Sequence, residues 1–317
     1  MLKIIGTGRA VPDFIADNAF FERLVDTSDE WIVSRTGIKT RHILTEGSLT
    51  ELAFKAAKNA LDNANIKPND LDLIICSSLQ GDYITPSLAC CVKSKIKATC
   101  PAFDINAACA GFIYSLNVAA GLIKSEIYKN VLIISAERLS KFVDYTDRST
   151  CVLFGDGAGA AVVTEGNALR YINVGTEEGI ELLFANSGLP QNCFTKKREQ
   201  GFITMNGPEI FKFATQTVLS AIKDVGKRLS IKADDIKWFL LHQANGRIID
   251  TIRKTLKQPQ EKFPENHSKF GNTSAASIPM LMDELNREGK FKKGDLLFLS
   301  AFGGGLTKGS CVIAWDK

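Results

Sequence analysis

The sequence is short of histidine and has no closely spaced pair of metal-binding cysteines. Its three histidines, His42, His242 and His267, stand far apart. Cys76, Cys90, Cys91, Cys100, Cys109, Cys151, Cys193 and Cys311 form no Cys-x-x-Cys unit. A zinc site is therefore not expected, and the cysteines read as reduced core residues of a cytosolic, cytoplasmic protein. No apolar stretch approaches the roughly 20 residues of a membrane span. Met1 leads almost at once into the strand-like Leu2–Ile5, leaving no room for a signal peptide. The formal charge is only +4, and the basic residues are dispersed without interleaved aromatics, so nucleic acid is not an expected partner. What is present is a 317-residue chain, 45% hydrophobic and 23% charged, with enough apolar material for a large core. Its length fits two domains or one large duplicated unit.

The pattern alternates strands and helices. Leu71–Cys76 and Asn130–Ser135 read as buried parallel strands, and Glu51–Ala64 and Pro208–Leu229 as amphipathic helices. An internal echo runs through them. Ile66-Lys-Pro-Asn-Asp-Leu71 returns 165 residues later as Ile231-Lys-Ala-Asp-Asp-Ile236. Leu132-Ile-Ile-Ser-Ala136 returns at the same interval as Leu297-Phe-Leu-Ser-Ala301. Gly159–Thr164 parallels Gly309–Ala314 at an interval of 150, which leaves about fifteen extra residues around Phe142–Phe154 in the first half. The expected division is a half of residues 1–168 carrying Cys109 and a half of residues 169–317 carrying His242 and Asn272.

Cys109 follows a short strand and opens a run of small and apolar residues, Ala110-Gly-Phe-Ile-Tyr-Ser-Leu116. A helix apolar on all sides is buried, and a thiol at its positive end is expected to favour thiolate. A lone Cys among small residues is ordinarily a core filler. The interval of 165 places Ser274 at the equivalent point, within Lys269-Phe-Gly-Asn-Thr-Ser-Ala-Ala-Ser-Ile-Pro279. If the halves pack about a pseudo-twofold axis, Cys109 and Asn272 face each other. His242 follows the strand-like Ile236–Leu241, and sites in parallel α/β sheets cluster outside such strand ends. Taken singly, His242 reads as a hydrogen-bonded structural residue and Asn272 as a turn residue.

The sequence resembles the β-ketoacyl-acyl-carrier-protein synthase III family. The motifs that carry the resemblance are Asp29–Ile38, Ala107-Ala-Cys-Ala-Gly111, Asp147-Arg-Ser-Thr150 and Phe154-Gly-Asp-Gly-Ala-Gly159 in the first half. His242-Gln-Ala-Asn245, Gly271-Asn-Thr-Ser-Ala-Ala276 and Ala301-Phe-Gly-Gly-Gly305 follow in the second. The resemblance implies an α/β thiolase-like fold of two duplicated halves in a five-layered α-β-α-β-α sandwich. It implies a homodimer that joins an acyl-coenzyme A primer to malonyl-acyl-carrier protein, without a cofactor or metal. Cys109 would be the nucleophile, a soft atom suited to a thioester carbonyl. The backbone N–H groups of Cys109 and Gly304 would hold the oxyanion, and His242 and Asn272 the enolate left by decarboxylation.

By the same resemblance, Trp31 and Arg148 would sandwich the adenine of coenzyme A. Thr27 and Arg35 would lie on the nucleotide side, with Asn245 and Gly207 lower in the tunnel. Lys212, Arg247 and Lys254 would face the acidic carrier protein, or else be ordinary solvated charges. The chain departs from the family pattern at Lys308, where Trp is usual, and at Leu241, where Pro is frequent. Thr85 stands where acetyl-preferring members often have Phe, and would reach the partner subunit's acyl pocket. The nearest alternative is a condensing enzyme of polyketide or quinolone metabolism, and the alternative of another class is a non-catalytic acyl-thioester-binding protein. A thiolase would carry a second Cys near the C-terminal glycines, where Phe302 precedes Gly303.

Overall fold

Successive strand residues point to opposite faces of a sheet, and here the two faces meet different covers. The computed structural model describes residues 1–187, 193–194 and 201–317. Strands β1 (Leu2–Ala10), β2 (Leu73–Ser77), β3 (Ala102–Ile105), β4 (Val131–Glu137) and β5 (Gly157–Glu165) form one sheet in the order β1-β5-β4-β2-β3. Strands β6 (Leu169–Thr176), β7 (Trp238–Leu241), β8 (Leu296–Gly303) and β9 (Thr307–Ala314) form a second in the order β6-β9-β8-β7. β2 runs parallel to β3 and β4, and β7 parallel to β8, while β5 and β9 are antiparallel to their neighbours. The two orders match strand for strand, except that β3 has no counterpart among the described residues.

Helices α1 (Leu49–Ala64) and α2 (Leu88–Ile96) cover the outer face of the first sheet, meeting Ile74, Cys76, Leu132 and Ile134. Leu73, Ile75, Val131 and Ile133 turn the other way, onto α3 (Gly111–Lys124). That same cluster includes Leu240, Leu297, Leu299 and Cys311 of the second sheet and Ile278, Leu281 and Leu285 of the later helix Ser277–Arg287. Helices α4 (Gly207–Leu229) and α5 (Gly246–Thr255) cover the second sheet's outer face, and Ser277–Arg287 is α6. The layers run α-β-α-β-α. Each fully buried Leu, Ile or Phe contributes about 1.5–3 kcal/mol, and the central layer collects them from both sheets.

The outer helices begin on side-chain caps: Ser48 for α1, Ser87 for α2, Asn206 for α4 and Asn245 for α5. The two central helices have none. Each is entered instead through one turn of 3₁₀ helix, Ala108–Ala110 before α3 and Ser274–Ala276 before α6. These turns differ by 166 residues rather than 165. Ser274 is thus the counterpart of Ala108, Cys109 that of Ala275, and Asn106 that of Asn272. The expected equivalence of Cys109 with Ser274 is one residue out, because the chain between strand and helix gains a residue in the second half.

Strand limits also shift. Leu71 and Asp72 lie outside β2, since the Asp72 carboxylate accepts the N–H groups of Lys129 and Asn130 and anchors the start of β4. The extra segment of the first half lies between β4 and β5, where the second half has only Gly304–Leu306. It folds as a turn at Leu139–Phe142 and a short helix at Arg148–Cys151. Leu139, Val143, Cys151 and Phe154 pack there against Phe21 and Ile32. The cysteines are all free, but Cys90 and Cys193 are exposed rather than in the core.

Candidate active site

Small residues surround Cys109 because two backbones crowd it. A Cβ on Gly303 would stand 2.6 Å from the Cys109 nitrogen, and one on Gly111 would stand 1.7 Å from the Ser77 Oγ. Leaving β3, Asn106 Oδ1 accepts the Ala108 N–H at 3.2 Å. Ala108 then takes a left-handed conformation at φ 46°, which is uncommon for a residue with a Cβ. The bend delivers Cys109 to a cavity of about 180 Å³, whose wall it shares with His242, Asn272, Ser274, Phe302 and Gly304. Leu139, Phe154, Ile203, Met205 and Ile210 make much of that wall apolar.

Burial dominates the ionisation of the sulfur. It pushes the Cys109 thiol up to about 12; the neighbouring Ser274 hydroxyl opposes this, and the charge of Glu137 adds to it. Loss of solvent thus opposes the thiolate that the helix end favours.

His242 sits just past β7, with its N–H on the Ser300 carbonyl at 2.9 Å and only 2% of its surface exposed. Burial lowers it to about 3, so the imidazole is neutral. Its Nδ1 lies 2.8 Å from the Ser277 Oγ, which also accepts the Gln243 N–H at 3.4 Å. With the hydroxyl donating to Nδ1, the ring proton would sit on Nε2. The imidazole packs edge-on to Phe302 at 5.3 Å. Asn272, 7% exposed, uses Oδ1 to accept the Ser274 N–H at 2.9 Å, so its NH₂ is the group left to donate. Its backbone is held by Leu153 O and Gly155 N, tying it to the extra segment of the first half. A neutral ring N–H, a carboxamide NH₂ and a thiol thus share one largely apolar chamber.

Of the other residues singled out in the sequence, some line this chamber and the rest lie outside it. Gly207, Asn245 and Gly304 line the cavity; Thr27, Trp31, Arg35 and Arg148 do not. Asn245 bonds the Arg35 carbonyl at 3.2 Å and caps α5. Thr27 Oγ1 is buried with no partner among the described residues. The Arg148 guanidinium lies directly over the Trp31 ring at 4.8 Å and donates to the Asp26 carbonyl at 2.8 Å. An aromatic base would fit between them only if the guanidinium swung away. Lys212, Arg247 and Lys254 are exposed on α4 and α5, with Lys254 already paired to Asp250 at 2.7 Å. Thr85 is exposed and outside the cavity. Lys308 is paired with Glu177 and lies outside the cavity.

Three residues at the site had no assigned role in the sequence reading: Ser274, Ser277 and Glu137. The available signal was Glu137 itself, a charge at the C-terminal end of a buried parallel strand. Among the described residues no group of three or more His, Cys, Asp or Glu could hold a metal.

Two family models match. One, described as 3-oxoacyl-[acyl-carrier-protein (ACP)] synthase III, covers residues 103–177, and its C-terminal companion covers residues 227–315. The β-ketoacyl-[acyl-carrier-protein] synthase III of Aquifex aeolicus is 47% identical over 99% of both chains. That of Clostridium acetobutylicum is 44% identical over 100% of this chain and 99% of its own. The solved Aquifex aeolicus 3-oxoacyl-[acyl-carrier-protein] synthase III superimposes with a TM-score of 0.92, covering 99% of this chain and 100% of that one. The priming β-ketosynthase of the R1128 polyketide pathway is similar at 29% identity and a TM-score of 0.93, over 100% of this chain and 97% of its own. With a lone thiol, a neutral imidazole and a carboxamide converging between two matching halves, this chain belongs to the β-ketoacyl-[acyl-carrier-protein] synthase III family.

Proposed function

We propose that the protein carries out the decarboxylative Claisen condensation of an acyl-coenzyme A primer with malonyl-acyl-carrier protein, initiating type II fatty acid synthesis. The observation that carries the reading is the shared cavity of Cys109, His242 and Asn272. In the first half-reaction Cys109 attacks the primer thioester, and the N–H groups of Cys109 and Gly304 receive the oxyanion. In the second, malonyl loses carbon dioxide. The Nε2–H of His242 and the NH₂ of Asn272 then donate to the thioester oxygen of the enolate. Neutrality of His242 suits this step, because an imidazolium would hand the enolate a proton before carbon–carbon bond formation.

The nucleotide would lie beyond the tunnel at Thr27, Trp31, Arg35 and Arg148, with pantetheine passing Asn245 and Gly207. The carrier protein would dock on Lys212, Arg247 and Lys254. The reading requires no cofactor and places the enzyme in the cytoplasm; no described helix is long and apolar enough to cross a membrane. Residues 1–168 and 169–317 are taken as the duplicated halves. A homodimer is supported by the outer edge of β3, beside which Phe103, Tyr83 and Ile84 are 38%, 59% and 92% exposed. A free strand edge with apolar neighbours is suited to pairing with a second copy. Thr85 would then meet the partner's cavity.

The test is to incubate the protein with a panel of acyl-coenzyme A thioesters and read the mass added at Cys109. Malonyl-acyl-carrier protein or malonyl-coenzyme A is then supplied. Acylation followed by carrier-dependent condensation is expected; no adduct with any primer would overturn the assignment. The similarity to the R1128 priming enzyme supports a second reading, a specialised polyketide starter enzyme, which preference for malonyl-coenzyme A would favour.

A further inference from the structure

Glu137 ends β4 behind the active-site turn, 1% exposed, and the chemistry above makes no use of it. Its Oε2 accepts the Leu79 N–H at 3.1 Å, its Oε1 accepts the Ser274 hydroxyl at 3.1 Å, and the Ala275 N–H donates to it as well. Ser274 shares the cavity wall with Cys109, and its hydroxyl favours ionisation of the thiol. Cys109, Ser274 and Glu137 thus lie in succession, with Cys109 half-buried at the cavity wall and Ser274 and Glu137 fully buried behind it. The ionisable groups acting on Glu137 are Cys109, from the turn before α3, and Asp156, from the approach to β5. Arg138 acts on Asp156, whose carboxylate is otherwise held by Leu44 and Ser140. His242 shares the chamber but is neutral, with Nδ1 engaged by Ser277.

We propose that Glu137, acting through Ser274, stores the proton of the Cys109 thiol for as long as the sulfur carries an acyl group. The proposal rests on the condensing reading of the site. As the primer arrives, the S–H bond breaks and its proton passes to Ser274 Oγ, which gives its own to Glu137 Oε1. The thiolate attacks the thioester carbonyl, the bond to coenzyme A breaks, and coenzyme A leaves as a thiolate that solvent protonates. Later the enolate carbon attacks the acyl group and Cys109 departs as a thiolate. Glu137 returns the stored proton through Ser274. The only proton drawn from solvent over the cycle is the one on released coenzyme A.

Two observations support the assignment beyond the geometry. Burial raises the Glu137 carboxyl to about 8, with the bonds from Leu79, Ser274 and Ala275 opposing the rise, so it changes charge close to neutral pH. Once protonated it also removes a negative charge from beside the site where an enolate must form.

The experiment is rapid-quench acylation of Cys109 by acetyl-, isobutyryl- and hexanoyl-coenzyme A, read by mass between pH 6 and 10. Wild type should accelerate with pH and level off near pH 8. Glu137→Gln and Ser274→Ala should fall about 100-fold at pH 7 and keep rising to pH 10, as the thiol itself ionises. Ser274→Thr should restore the plateau. If both variants keep the wild-type profile, whatever their amplitude, Glu137 is only a structural plug and the relay is wrong. Should Glu137→Gln fail to fold, the profile of Ser274→Ala decides alone. A wild type that takes no acyl group overturns the condensing reading and the relay with it.

Discussion

The turns before α3 and α6 are nearly the same piece of backbone put to different uses. In each, an Asn carbonyl accepts the N–H two residues on, at 3.2 Å from Asn106 and 2.9 Å from Asn272. Each continues through a left-handed residue, Ala108 at 46° and Ser274 at 49°, and a 3₁₀ turn into a buried helix without a side-chain cap. The first turn presents Cys109 to the cavity. The second places Ala275 in the same position, with its N–H given to the Glu137 carboxylate. Asn106 is exposed, whereas Asn272 faces the chamber. Duplication supplied two anion-accepting turns, and the second has its anion built in. Its side chains, Asn272 and Ser274, are thereby free to serve the first.

The largest expected effect is at the nucleophile. Cys109→Ala should take no acyl group from any primer, shown by an unchanged intact mass. In that background Ala275→Cys should also stay unlabelled, because Glu137 occupies the place an oxyanion would need. Labelling at position 275 would show the turns to be chemically interchangeable. Next is the Asn pair. Asn272→Ala should slow condensation by roughly 10²–10³ while acylation of Cys109 persists; equal loss of both would break the division of labour. Asn106→Ala, removing the matching bond of the other turn, should leave condensation within a few-fold and cost about 1 kcal/mol of stability, measured by urea unfolding.

The smallest effect is on the pH dependence of stability. His242 and His267 are held down to about 3 and about 4 by burial. Their contribution is complete above about 6.5, the unfolded value, and lost as pH falls toward those folded values. Glu137 has the opposite sign. Raised to about 8, it contributes fully below its ordinary value of 4.5 and less as pH rises through 8. Thermal melts at pH 5 and pH 8 should show Glu137→Gln gaining relative to wild type at the higher pH. A constant difference would place the Glu137 shift elsewhere.

The repeat, the central helix and the trio Cys109, His242 and Asn272 were legible because each leaves a local mark. Strand ends and helix starts carry characteristic residues, and an interval survives where loops do not change length. The one-residue slip at Ser274 came from a loop that did change. Glu137 and Ser274 lie 137 residues apart and meet only through the stacking of the halves, so no local pattern joins them. The burial that raises the Cys109 thiol was illegible for a related reason. Burial belongs to the assembled structure, whereas the helix end was visible in the chain.

Helix α3 is covered on one side by the first sheet and on the other by Leu240, Leu297, Leu299 and Cys311 of the second. During synthesis, the segment bearing the nucleophile therefore emerges long before half of its cover exists. Until roughly the last twenty residues of the chain are made, an apolar face remains open to water, a hazard for aggregation. The nascent first half is thus a natural client for chaperones, and the active site can mature only once the final strand has closed over it.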